Sequence, residues 1–444
     1  MRSSSTPADA DVRAALIARF DRARATTAAL FDLVTDQAYY QRPISLRNPI
    51  VFYEGHISAF AINALVKGAL GQPGIDEELE RLFARGIDPE DESAKGGQAA
   101  WPSRDRVRAF VTKADEVLRH VLQHEDLVRP GHRLLDRAEA AYTVIEHEEL
   151  HQETLHYIWH RLPASHKRVP AGWRPPGDGV VPARRGIAVD AGVATLGAAR
   201  EAVPFAWDNE MPLMQVEVPA FVIDQHDVTN AEYREFVDAG GYAREDLWSP
   251  EAWAWRQREG IGAPTFWERD GESWSWRTMF GAVPLPLAWP VYVSHAEADA
   301  FLRWRGDRLP TEGEYHRAAF GTPGGGERPF PWGDVAPGAA HGNFGNIRFD
   351  PVAVGTHPAG ASAWGIHDLI GNGWEWTSTP FEPFPGFQAM ASYPEYSADF
   401  YDGKHLVMKG ASPATPIATI RRSFRNWFRP HYPYVYATFR GVRS

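Results

Sequence analysis

The sequence predicts a chain in two parts, an N-terminal four-helix bundle followed by a mixed α+β domain rich in loops. Three observations predict it. Up to about residue 162, apolar side chains recur at three- and four-residue spacing, the period of helices with one buried face. After Gly186 the pattern changes to short apolar runs, turn residues and frequent Trp. Between them, "PASHKRVPAGWRPPGDGVVPARR" is rich in Pro and Gly and has no period, so it reads as a linker. The expected boundaries are 1–162 for the bundle, 163–186 for the linker and 187–444 for the second domain.

In the first part the helical segments fall near 9–34, 50–70, 105–123 and 137–161, separated by Pro and Gly clusters. Four helices of that length suit a bundle, and bundle cores commonly hold metal sites. In the second part, "NAEYREFVDAG" (230–240) is a helix opened by Thr229 or Asn230, both good N-caps. "SHAEADAFLRWR" is another, at 294–305, where Ser294 and Glu297 have the spacing of a capping box. "LPTEGEYHRAAF" reads as a third. Trp374 and Trp376 are assigned to core packing.

Composition narrows the function. The net charge is −11, from 46 basic and 57 acidic side chains, so no basic patch points to nucleic acid. No apolar run approaches the roughly 20 residues of a membrane span. "MRSSSTPADADVRAAL" lacks the apolar core of a signal peptide. Cysteine is absent, which excludes disulfides, thiolate metal sites and a cysteine nucleophile. A cytoplasmic enzyme acting on small molecules, a monomer or small homo-oligomer, is expected. Any metal must be held by His, Asp or Glu.

The stretch "VIEHEELHQE" places His147 and His151 four residues apart, on one face of a helix. The pair reads as two metal ligands or as part of a solvated charged face with Glu148, Glu149 and Glu153. A third ligand would come from another helix, and "NPIVFYEGHISAF" offers His56 between Phe52 and Phe60 on an otherwise apolar face. His156 and His160 fall roughly opposite His147 and are expected at the surface. Glu153 is expected as a solvated charge or as outer support for the site. Three neutral imidazoles leave positions open for substrate and a small molecule such as dioxygen. The set would serve catalytic zinc or ferrous iron equally.

The motifs "DVTNAEYREFV", "RLPTEGEYHRAA", "FPWGD" and "GNGWEWTSTPF" together resemble the formylglycine-generating-enzyme family, whose fold is a compact variant of the C-type lectin fold. That family's own activity needs cysteines, which this chain lacks. A helical domain resembling the DinB fold, with H-x-x-x-H-x-E and an upstream His, joined to such a domain is similar to the EgtB family of hercynine-dependent sulfoxide synthases. The resemblance implies Fe(II) held by His56, His147 and His151, dioxygen as co-substrate, and hercynine (trimethylated histidine) attacked at its imidazole C2. It also implies that C-terminal loops of the second domain close the site. "SYPEYSADFYDGKH" matches the family's Tyr-x-x-Tyr segment and implies Tyr393 as the catalytic tyrosine, with Tyr396 a second site tyrosine. "RRSFRNWF" implies Asn426 and Trp427 at hercynine, and an aromatic face suits a trimethylammonium group.

Members of the family that use γ-glutamylcysteine carry an Asp after R-N-W and an Arg four positions later; here those positions are Phe428 and Tyr432. Aromatic rings cannot make charge-assisted bonds to a charged dipeptide, but they can stack on a sugar. "YYQRPISLRNPIVFYEGHISAF" also resembles the ovothiol-type and selenoneine-type branches more than typical ergothioneine members, and together with this departure it resembles selenoneine synthase, in which a selenosugar supplies selenium. Two alternatives remain within enzymes: a sulfoxide synthase of ergothioneine biosynthesis taking γ-glutamylcysteine or cysteine, and a DinB-type metal-dependent thiol transferase. A non-enzymatic ligand-binding protein with a lectin-like domain is the third.

Overall fold

The computed structural model describes residues 7–84 and 101–443; residues 1–6, part of the stretch read for a signal peptide, lie outside them. The chain forms two compact units, Met1–Trp173 with Met390–Pro394, and Arg174–Ala389 with Glu395–Ser444.

The first unit is a helical bundle of α1 (Pro7–Asp32), α2 (Ile50–Ala61), α3 (Glu77–Leu82), α4 (Arg104–His124) and α5 (Glu139–Arg161). A π-helical stretch, Ile62–Ala69, continues α2. α1 packs on α4 and α5, and α2 packs on the same two. α4 is amphipathic in the expected way, burying Val107, Phe110, Ala114, Leu118 and Val121 along one stripe. The Ser103 side chain caps it by accepting from the Arg106 amide.

α2 and α5 are buried nearly all round, so neither has a solvated face. This corrects two expectations. His156 and His160 are buried, not at the surface, because α5 is central and neighbours cover both its faces. Glu146, Glu148, Glu149 and Glu153 are buried as well, so the solvated-face reading of "VIEHEELHQE" fails. Buried carboxylates need partners. Arg19 spans Glu149 and Glu146, with Nε 3.0 Å from both Glu149 oxygens and Nη2 2.6 Å from Glu146. Arg24 lies 3.1 Å from Glu148 and 3.2 Å from Asp115, and donates to Ser58 Oγ at 3.1 Å.

The second unit holds four small sheets. β1 (Gly186–Val189) and β12 (Val442–Arg443) flank β4 (Phe221–Asp224), joining the two ends of the unit. β2 (Gly192–Leu196) pairs with β3 (Met214–Val218), and β5 (Trp267–Asp270), β6 (Ser273–Thr278) and β7 (Gly281–Pro284) form a meander. The fourth sheet orders β10 (Asn426–Phe428), β9 (Leu406–Ala411), β8 (Gly373–Pro380) and β11 (Ala437–Thr438).

The unit also holds helices α6 (Asn230–Asp238), α7 (Pro250–Glu259), α8 (His295–Arg305) and α9 (Glu312–Phe320); α9 packs on β2, β3, β8 and β9, and α6 packs on α8. α6, α8 and α9 each open with a capping box: Thr229 with Glu232, Ser294 with Glu297, Thr311 with Glu314. Trp374 and Trp376 are buried in the core, as expected. Arg440 is fully buried and answered on both sides, 2.6 Å from Glu375 and 3.0 Å from Asp227.

The stretch read as a linker is fastened at both ends. The Arg168 amide donates to Leu33 O at 2.7 Å in the first unit. In the second, Trp289 Nε1 donates to Gly177 O at 3.0 Å. Among the described residues no helix is long and apolar enough to cross a membrane.

Candidate metal centre

His147 and His151 project from one face of α5, and His56 from α2 meets them. One nitrogen from each ring lies within 4.8 Å of the others. The Nε2 atoms of His147 and His151 are 3.2 Å apart. His56 Nδ1 donates to Phe83 O at 2.8 Å, which leaves its Nε2 lone pair free. Phe52 stacks on His56 at 4.9 Å and Phe60 on His147 at 3.7 Å.

Burial sets the electrostatics. It pulls His56 down to about 4, and it holds His147 and His151 well below the ordinary histidine range, with the neighbouring rings adding to the effect. All three are therefore neutral at physiological pH, as ligation requires. On α5 itself, burial pushes Glu148 up to about 7 against the pull of Arg24. Two lone pairs facing each other at 3.2 Å repel unless a proton or a cation lies between them. The donor set is thus three neutral imidazoles, one with its far nitrogen fixed by a carbonyl, and it fits a divalent transition metal.

Tyr393 belongs to the same unit. Its ring centroid lies 6.1 Å from that of His147 and 5.0 Å from that of Phe60. The other sequence-derived residues lie in the second unit. Trp427 and Asn426 stand on β10, in register with Val407 and Met408 of β9. Tyr396 opens toward Trp427, edge to face at 5.3 Å, and stacks on Trp207 at 3.8 Å. Phe381 stacks on Trp427 at 4.3 Å. Phe428 and Tyr432 stack on each other, 5.0 Å apart and 19° from parallel.

The sequence reading missed Arg425, one residue before Asn426. Its buried guanidinium sits 3.1 Å from Glu312 and donates to Asn209 O at 3.2 Å and Glu382 O at 3.0 Å. It also lies over Phe384 at 4.2 Å. It ties together three segments that carry or flank the aromatic cluster. Phe83, whose carbonyl holds His56, was missed too. An Arg inside an aromatic motif was the available signal for Arg425; nothing local signalled Phe83.

Residues 175–444 match the sulfatase-modifying factor enzyme 1-like domain, and residues 19–155 match the DinB superfamily. The chain belongs to the EgtB-like family. A hercynine oxygenase of Mycolicibacterium thermoresistibile is 41% identical over 312 residues, covering 68% of this chain and 67% of that enzyme. The hercynine oxygenase of Mycolicibacterium smegmatis is also 41% identical, over 299 residues, covering 65% of this chain and 67% of its own length. Ergothioneine biosynthesis protein 1 of Neurospora crassa is 27% identical over 512 residues, covering 94% of this chain. This EgtB-like chain thus spans about two thirds of the two bacterial relatives and 56% of the fungal one.

Proposed function

We propose that this chain is an oxygen-dependent non-haem iron enzyme that joins the imidazole C2 of hercynine to selenium from a selenosugar. The observation that carries the iron chemistry is the convergence of three imidazole nitrogens within 4.8 Å, with the Tyr393 ring beside His147. Coupling a C–H to a selenol removes two hydrogens and two electrons; dioxygen, a four-electron oxidant, takes them up as one water while its second oxygen atom oxidises the joined selenium to the selenoxide. Fe(II), held by His56, His147 and His151, would supply the centre at which dioxygen is reduced. Tyr393, whose ring centroid lies 6.1 Å from that of His147, would offer its phenol hydroxyl as the proton donor. Hercynine's trimethylammonium group is suited to the face of Trp427, with Tyr396 and Asn426 beside it.

Donor choice rests on Phe428 and Tyr432. Their stacked rings offer an apolar platform where a zwitterionic dipeptide would need an acid and a base. Losing a charge-assisted bond costs about 1.5–3 kcal/mol, so two losses weaken γ-glutamylcysteine roughly a hundredfold or more. The names of the relatives favour a second reading, a sulfoxide synthase of ergothioneine biosynthesis taking γ-glutamylcysteine or cysteine. Mass spectrometry of products from Fe(II)-loaded protein, hercynine and each donor separates the two. The expected product carries selenium; efficient turnover with γ-glutamylcysteine and none with the selenosugar returns the chain to sulfur transfer. Replacing His56, His147 or His151 by Ala is expected to abolish both iron binding and turnover.

A further inference from the structure

One face of α5 carries Glu139, Thr143, His147 and His151 in turn, each four residues after the last. The first two are not in the histidine cluster, yet both are buried. They meet the short segment Met390–Pro394, which belongs to the same compact unit. Ser392 Oγ donates to Glu139 Oε1 at 3.0 Å and lies 2.8 Å from Thr143 Oγ1. Thr143 Oγ1 also reaches its own helix, donating to Glu139 O at 2.9 Å. Ser392 immediately precedes Tyr393. When Ser392 docks at Thr143, the next residue falls one turn further along the helix, where its ring lies against His147 and Phe60.

The helix end that makes this contact is itself held in an unusual shape. Arg137 and Ala138, just before Glu139, both have left-handed backbones, with φ of 53° and 59°. Neither is glycine, so the turn persists only because its surroundings impose it. With its one proton on the Glu139 carbonyl, Thr143 Oγ1 is already satisfied as a donor and can only accept, so the single Ser392 proton is shared between Thr143 Oγ1 and Glu139 Oε1. The bond to Ser392 therefore does something other than rescue a buried polar group.

We propose that Glu139, Thr143 and Ser392 form a positioning latch that sets Tyr393 against the histidine cluster. The latch rests on the reading of Tyr393 as the catalytic tyrosine, but its existence as a mechanical device does not. Three variants of the full chain test it: Thr143→Val, Ser392→Ala and the double variant, with Thr143→Ser as the conservative control.

The first readout is hydrogen exchange of the peptide spanning 390–396 in metal-free protein. Each single variant is expected to speed exchange about two- to tenfold, the range for one lost hydrogen bond. Thr143→Ser is expected to keep wild-type exchange. The second readout is steady-state turnover of the iron-loaded protein. kcat is expected to fall in each single variant, with KM for hercynine and iron content unchanged. The double variant is expected to lose no more than the worse single, because Ser392→Ala already removes the contact that Thr143→Val removes.

Unchanged exchange in both singles overturns the latch. So does a double variant whose kcat loss is the product of the single losses. Faster exchange with kcat intact, in a protein that Tyr393→Phe inactivates, also overturns it, since the segment would then be held but Tyr393 not positioned. If Tyr393→Phe retains full turnover, the catalytic reading fails instead, and exchange alone decides the latch.

Discussion

Tyr393 is half-buried, with the Phe60 ring against one side and His147 beyond it. Removing its hydroxyl leaves that packing in place, so Tyr393→Phe is expected to keep iron and hercynine affinity. Proton delivery by a positioned side chain is worth about a hundredfold or more, and bond formation is expected to fall by that factor. Single-turnover kinetics beside a binding titration checks it: lost hercynine affinity with an unchanged rate makes Tyr393 a binding residue only. The histidines differ in how they were found. His147 and His151 stand out because four-residue spacing is itself geometry. His56 needed the apolar flanks of Phe52 and Phe60 to be noticed, and the same flanks turn out to stack on the cluster.

At the scale of elements, the centre depends on how closely α2 approaches the loop after α3. A Cβ on Gly55 would lie 2.4 Å from the Phe83 ring and 2.6 Å from its Cγ, the root of the ring. The Phe83 side chain cannot escape by swinging its tip, so its backbone must shift, and that backbone carries the carbonyl that holds His56 Nδ1. Gly55→Ala is thus expected to cost about 1–3 kcal/mol in stability, the range for overpacking a tight core. It is also expected to weaken metal binding more than a neutral surface substitution of equal stability cost. Chemical denaturation with a metal titration tests both, and tight metal binding in a destabilised Gly55→Ala would dissociate Phe83 from the site. The capping boxes of α6, α8 and α9 were legible because each lies within four residues. The all-round burial of α5 was not, since its sequence is rich in Glu and His and its covering comes from α1 and α2.

Histidines buried without charge lower the stability of the whole molecule in acid, while buried carboxylates pushed upward, such as Glu148, work the other way. His316 on α9 is fully buried, and burial, followed by the nearby Lys409 and Arg422, holds it well below the ordinary range. Burial likewise pulls His295 down to about 3. Both shifts are downward, so below pH about 6.5 the unfolded chain takes up protons that the folded chain refuses. Stability therefore falls as pH falls, by up to about 1.4 kcal/mol per pH unit for each such group, until the folded-state value is reached. Melting temperature is expected to drop between pH 6.5 and pH 4, and His316→Phe is expected to flatten that slope. An identical slope in the variant would mean that His316 is already protonated in the fold.

What is local or compositional could be read directly from the residues: the period of the helices, their caps, the same-face histidine pair and the absence of cysteine chemistry. Motif order in the second half carried the family, and the exchange of two expected charges for Phe428 and Tyr432 carried the donor proposal. Which buried groups meet is a matter of how the chain folds back on itself. Thr143 and Ser392 are 249 positions apart, and no periodicity links a helix turn to a loop so distant. The same holds for Phe83 and His56, and for Arg425 with Glu312, Asn209 and Glu382. His156 and His160 were misjudged for one reason: a helical wheel gives the angle of a side chain but not what stands opposite it. Whether a polar face is solvated or paired depends on neighbours brought by the fold, and in α5 those neighbours are Arg19, Arg24 and the surrounding helices.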